Sequence, residues 1–243
     1  MSCICIQNKT AILMLIVTVL IVAIGSFAEL SGCHCVYGKT SEGVPDDFIT
    51  VSEVVPDAVL DIRYYSNYNF TGKRVDGYLA PKPYLTLPAA KALARAADEL
   101  RKQGYRIVIY DTYRPQKAVT NFVRWINDPN DPGNRSFYPR TTKDKLLAGG
   151  FIDARSGHSR GSVVDLSIVH MDGTSVDMGG MFDLFDEISH PDSKSITPEQ
   201  RANRQILNKA MTSAGFTRLE TEWWHFLLKN EPYPNTYFDF DIK

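Results

Sequence analysis

The chain has 243 residues, of which 44% are hydrophobic and 23% charged, and carries a formal net charge of −1. That length and mix describe an ordinary globular domain with a substantial core. With no basic surplus to neutralise phosphates, nucleic-acid binding is excluded, and any membrane contact is confined to the N-terminal segment.

Residues 1–35 differ from the rest. Lys9 precedes an uncharged run of 18 residues, Ala11 to Ala28, that ends in the small residues Gly25, Ser26 and Ala28. A positive flank, an apolar stretch and a small-residue end describe an export signal. The same run sits at the lower edge of membrane-spanning length. LSGC at Leu30–Cys33 resembles a bacterial lipobox, which would make Cys33 a lipidated N-terminus, although Glu29 just before it departs from that pattern. Each reading places the following domain outside the cytoplasm, in a periplasm or on the outer face of a membrane. The four cysteines, Cys3, Cys5, Cys33 and Cys35, all lie here. The domain beyond therefore has no disulfide and no thiolate ligand, and any zinc in it must be held by His, Asp or Glu.

From about residue 46 to the end the sequence reads as a single domain, without repeat or low-complexity linker. FITVSEVVP and AVLDIRYY, rich in β-branched and aromatic residues, predict extended structure. Residues 87–103 predict a helix with Thr86 as cap, Pro88 in the first turn and Gly104 as terminator. YRIVIYD predicts a buried strand and PQKAVTNFVRWI a helix with Ala118, Phe122 and Trp125 on one face. NDPNDPGNRSFYPR predicts a long loop, and residues 170–198 a loop-rich stretch. GSVVDLSIV reads as a strand. Thr197 and Gln200 form a capping box for a helix over about 198–213. FTRLETEWWHFLL closes the chain's strand-like runs. The mixed order, without βα alternation, predicts an α+β fold with helices packed around a largely antiparallel central sheet.

Chemistry concentrates in a few places. Outside the N-terminal segment the histidines are His158, His170, His190 and His225. His158 lies in SGHSRGSVVD, and Asp165 falls seven residues later inside an apolar run. A carboxylate there needs a strong partner, an arginine or a cation. His158, Asp165 and His225 together form a donor set suited to a catalytic zinc with one open position. Glu222, three residues before His225, is then free to act as general base, its burial raising its pKa toward that task. Residues three apart on a strand face opposite sides, so a bulge, a bend or a helical turn must bring the two together. Arg114, at the end of a buried strand in YDTYRPQ, is placed to stabilise an oxyanion, with Asp111 and Tyr113 to orient it. The bland alternatives are a structural Arg114–Asp111 pair, Trp223 and Trp224 as plain core, and solvated His170 and His190.

SGHSRGSVVDLSI together with EWWHF resembles the paired signatures of the zinc D-alanyl-D-alanine metallopeptidases. RYYSNYNFTGKRVDGY, YDTYRPQKAV and MGGMFDLFDEISH point to the D-Ala-D-Ala dipeptidases of the VanX type. The resemblance covers residue 46 to the end. It implies one zinc held by His158, Asp165 and His225, Glu222 as catalytic base and Arg114 stabilising the tetrahedral intermediate. It also implies that Asp183, with Tyr64 nearby, holds the substrate amino group and that Ser156 lines the substrate side. Arg155–Gly157, RSG, departs from the S-S-H form of that branch. The implied reaction is hydrolysis of free D-Ala-D-Ala. Two alternatives stand beside it: a peptidoglycan D,D-carboxypeptidase or endopeptidase using the same zinc site, and a zinc-containing binding module without catalysis. The presence of both Glu222 and Arg114 weighs against the last.

Overall fold

The computed structural model describes residues 43–148 and 152–243. The N-terminal export, anchor and lipidation readings fall outside the described residues. Two sheets are present. In the small one, β1 (Phe48–Thr50) pairs antiparallel with β3 (Tyr84–Thr86). The main sheet has five strands, in the order β2 (Val59–Leu60), β4 (Tyr105–Asp111), β5 (Val163–His170), β7 (His225–Leu228) and β6 (Phe216–Arg218). Only β2 against β4 is parallel; the other pairings are antiparallel. The helices α2 (Leu87–Lys102) and α5 (Pro198–Ser213) pack on each other, α2 also against β4 and α5 against β6. The α+β reading with a largely antiparallel sheet holds.

The helices form where the pattern predicts. In α2, Ala89, Leu93, Ala96 and Leu100 are buried along one face, and Gly104 follows at φ +85°. α3 (Gln116–Asn127) buries Ala118, Phe122 and Trp125. Thr197 N donates to Gln200 Oε1 at 2.8 Å and Gln200 N to Thr197 Oγ1 at 3.2 Å, so the capping box at the start of α5 is formed. Along β5 the pleat puts Val164, Leu166 and Ile168 in the main apolar cluster and Asp165 on the opposite face. Among the described residues no helix is long and apolar enough to cross a membrane.

Three expectations change. FITVSEVVP is not extended throughout, because β1 turns directly into the short helix α1 (Val51–Val54), where the Glu53 carboxylate accepts from both Thr50 N and Thr50 Oγ1. AVLDIRYY likewise leaves β2 for a 3₁₀ turn at Arg63–Tyr65. FTRLETEWWHFLL is two antiparallel strands, β6 and β7, and the polar LETE between them makes the connection. A short helix α4 (Lys143–Ala148), not foreseen, follows the long loop.

Candidate active site

The site begins as a row across three strands. The register of β4 on β5 shifts between Ile109 and Asp111, and this irregularity sets Asp111 opposite Asp165. Asp165 in turn lies opposite His225 on β7. Directly opposed residues on neighbouring strands project to the same face. The sheet therefore presents two carboxylates and an imidazole side by side.

His158 comes from a 3₁₀ turn, Gly157–Arg160, that enters β5. Ser156 caps it, its Oγ accepting from His158 N at 3.3 Å. The turn leaves through Gly161 at φ +78°, where an added Cβ would run into the Phe48 ring, so only glycine fits. His158 is buried, and its Nδ1 donates to the Thr112 carbonyl at 2.6 Å. A carbonyl can only accept, so the proton sits on Nδ1 and the Nε2 lone pair faces the site.

Three donor atoms converge there. His158 Nε2 lies 3.2 Å from Asp165 Oδ2, His225 Nδ1 lies 3.1 Å from Asp165 Oδ1, and the two ring nitrogens are 3.3 Å apart. Zinc bonds of 2.0–2.1 Å in a tetrahedron put neighbouring ligand atoms roughly 3.3 Å apart. The two imidazoles have that spacing, each meets one oxygen of Asp165, and one ligand atom from each residue lies within 4.8 Å of the others, so the set suits a zinc ion. Among the described residues, these three are the one group of His, Cys, Asp and Glu close enough to hold a metal.

Glu222 reaches the same point from the β6–β7 connection. His225 N donates to the Glu222 carbonyl at 3.4 Å, so the chain bends between them, and Glu222 Oε2 stands 3.5 Å from His225 Nδ1. This bend resolves the spacing problem. Burial pushes the Glu222 carboxyl up to about 7 against the opposing pull of His225. Burial also works against the Asp165 charge, but the two imidazoles override it and hold that carboxyl well below its usual range.

Arg114 follows β4 and is nearly enclosed. Its Nε donates to Asp111 Oδ2 at 2.9 Å, and its Nη2 lies 3.6 Å from Asp165 Oδ2. The guanidinium sits over the Tyr64 and Phe122 rings, 4.9 and 5.3 Å from their centroids. Asp111 orients it as expected, and Tyr78 Oη fixes that carboxylate from the other side at 2.6 Å. Tyr113 does not take part: its hydroxyl donates to the Phe240 carbonyl and its ring packs between Phe48 and Phe240.

Asp183 completes the ring of acids. It accepts from Tyr64 Oη at 2.8 Å and holds φ at +60°, the one positive value at a non-glycine among the described residues. Phe182 beside it is wedged between Tyr110 and Trp224, 4.7 and 5.4 Å from their ring centroids. Burial, and then the charge of Asp165, push the Asp183 carboxyl well above its usual range. His158, Asp165, His225, Glu222, Arg114, Asp183, Tyr64 and Ser156 all line one pocket of about 300 Å³. Trp223 and Trp224 are buried core and His170 is exposed, as expected, whereas His190 is half-buried rather than solvated.

The model of the Peptidase_M15 family, described as D-ala-D-ala dipeptidase, matches residues 45–243. The chain belongs to this family. It is 42% identical over 198 residues to a D-alanyl-D-alanine dipeptidase of Streptomyces coelicolor, covering 81% of this chain and 98% of that one. An Enterococcus faecium protein of the same name is 38% identical over 198 residues, with the same coverage. A third, from Escherichia coli, is 32% identical over 182 residues, 75% of this chain and 84% of that one. Peptidases of this family are zinc-dependent, in keeping with the three converging donors.

Two groups at the site escaped the sequence reading. The Thr112 carbonyl that sets the His158 tautomer has no signal, because any residue type supplies a carbonyl. Tyr78 lies inside the stretch RYYSNYNFTGKRVDGY, yet nothing in its spacing ties it to Asp111, 33 residues later.

Proposed function

We propose that the protein hydrolyses free D-alanyl-D-alanine with one bound zinc. The observation that carries this reading is the acid balance of the pocket. Asp111, Asp165, Asp183 and Glu222 are buried or nearly so around the one nearly enclosed guanidinium of the pocket, that of Arg114. Buried carboxylates without partners are costly. A divalent cation at His158, Asp165 and His225, and a substrate ammonium at Asp183, supply the missing positive charge.

When bound, zinc supplies a Lewis acid and lowers the pKa of water. The chain's own groups do the rest. Asp183, fixed by Tyr64 Oη, takes the substrate ammonium and so sets how far the dipeptide enters. Glu222 accepts a proton from the attacking water and passes it to the leaving amine. Arg114, held rigid by Asp111 and two aromatic faces, presents its remaining N–H groups to the developing oxyanion. Ser156 borders the substrate from the His158 turn. A pocket of about 300 Å³ is at the small end of ligand sites, which favours a dipeptide over a peptidoglycan stem.

Residues 46–243 would form the catalytic domain and residues 1–35 an export signal or anchor, placing the enzyme outside the cytoplasm in wall turnover or nutrient salvage. Mass spectrometry of the mature N-terminus tests that placement: an intact, unmodified Met1 in a cytoplasmic fraction rules it out. Activity is tested by offering the zinc-loaded protein D-Ala-D-Ala and muropeptide stems in parallel. Cleavage of the dipeptide is expected; cleavage of the stems with the dipeptide spared points to the carboxypeptidase alternative.

A further inference from the structure

A dipeptide is a zwitterion, and Asp183 with Tyr64 answers only its ammonium. Among the described residues lining the pocket the arginines are Arg114 and Arg155, and no lysine joins them. Arg114 is committed to Asp111 and Asp165 at 2.9 and 3.6 Å and is nearly enclosed. Arg155 is different. It is exposed, no carboxylate among the described residues forms an ion pair with it, and its guanidinium lies over the Tyr237 ring at 5.2 Å. Arg160 approaches the same ring at 5.8 Å, but its charge is answered by Glu231 at 2.9 Å. The neighbouring rim acid, Asp153, is exposed and turned back on its own loop, Oδ1 accepting from Ala154 N at 2.5 Å.

The same pocket is therefore lined by the Asp183–Tyr64 pair, by the donor set with Glu222, and by the exposed Arg155, three residues before His158. A cation–π contact with Tyr237 does not consume the guanidinium N–H donors, and a planar guanidinium suits a carboxylate.

We infer that Arg155 recognises the C-terminal carboxylate of the substrate, making it the residue that selects a free dipeptide over an amidated or extended one. This inference rests on the dipeptidase reading above. A partly exposed charge pair of this kind changes affinity by about two- to fivefold.

The test compares zinc-loaded wild type, Arg155→Ala and Arg155→Lys on D-Ala-D-Ala and on D-alanyl-D-alaninamide, which lacks the terminal charge. Wild type is expected to favour the acid in kcat/KM. Arg155→Ala is expected to bring the acid-to-amide ratio close to one, mainly by raising KM for the acid, and Arg155→Lys to retain part of it. A wild type that cleaves both substrates with the same ratio as Arg155→Ala overturns the assignment of Arg155 and leaves the dipeptidase reading standing. A wild type that cleaves neither substrate removes both.

Discussion

Glu222 and Asp183 are both buried acids whose carboxyls are pushed up, but the proposed mechanism gives them different tasks, Glu222 at the scissile bond and Asp183 at the substrate ammonium. As the proposed base, Glu222 works only when ionised, so kcat/KM should rise with pH through its pKa. Without metal that value is about 7; a cation beside it favours the carboxylate, so the acidic limb of the zinc-loaded enzyme is expected below 7. Glu222→Gln should abolish that limb and lower kcat by about 10²–10⁴-fold, while metal analysis finds zinc still bound. For Asp183 the raised pKa means that the folded state holds the proton more tightly than the unfolded chain. Its contribution is therefore intact below the unfolded value and is lost as pH rises toward the folded one. Asp183→Asn should melt a few degrees above wild type at pH 8 when metal-free, with the gain shrinking on acidification. The same variant should raise KM for D-Ala-D-Ala more than it lowers kcat. Asparagine accepts the left-handed backbone at φ +60°, so strain does not obscure the comparison. A scanning calorimetry series over pH, paired with kinetics, checks both halves.

At the level of elements, α5 stabilises a loop it does not belong to. Arg204 is buried on this helix and donates to three backbone carbonyls: Met178 at 2.6 Å, His190 at 2.7 Å and Ile188 at 3.0 Å. Those carbonyls bracket the segment that carries Asp183. Arg204→Met leaves buried acceptors without donors and should cost about 3 kcal/mol of stability. It should also loosen Asp183, which urea melts and KM for the dipeptide will register together. The 3₁₀ turn before β5 has a comparable dependence on Gly161. An alanine there meets the Phe48 ring and an unfavourable φ at once, so Gly161→Ala should displace the His158 turn and weaken zinc retention in a chelator competition.

For the whole molecule, the sheet face gathers acids from β4, β5, the β6–β7 connection and the loop after β5, and the proposed zinc would relieve their mutual repulsion. Removing zinc with a chelator should abolish activity. It should also lower Tm, on the order of 10 °C at a thousandfold excess of metal over Kd. The deficit should widen as pH rises and more of the buried carboxyls ionise, and added zinc should restore both readouts. A Tm that ignores zinc would show that the charge argument is wrong.

Much of this was readable along the chain. The 3.6-residue stripes of α2 and α3, the Thr197–Gln200 capping box and the buried run of β5 are local consequences of side-chain type, and the structure keeps them. Asp165 could be singled out because a carboxylate within an apolar strand demands a partner, and Glu222 and His225 for the same reason. Sequence alone did not say how positions three apart meet, that Asp111 opposes Asp165, or that Tyr113 turns away while Tyr78 turns in. Those facts depend on strand register, a shifted ladder and a bend between two strands. Register and bends are set by packing between segments distant in sequence. The sequence by itself determined which groups needed a partner of opposite charge; the tertiary structure decided that His158, Asp165 and His225 come close enough to share one.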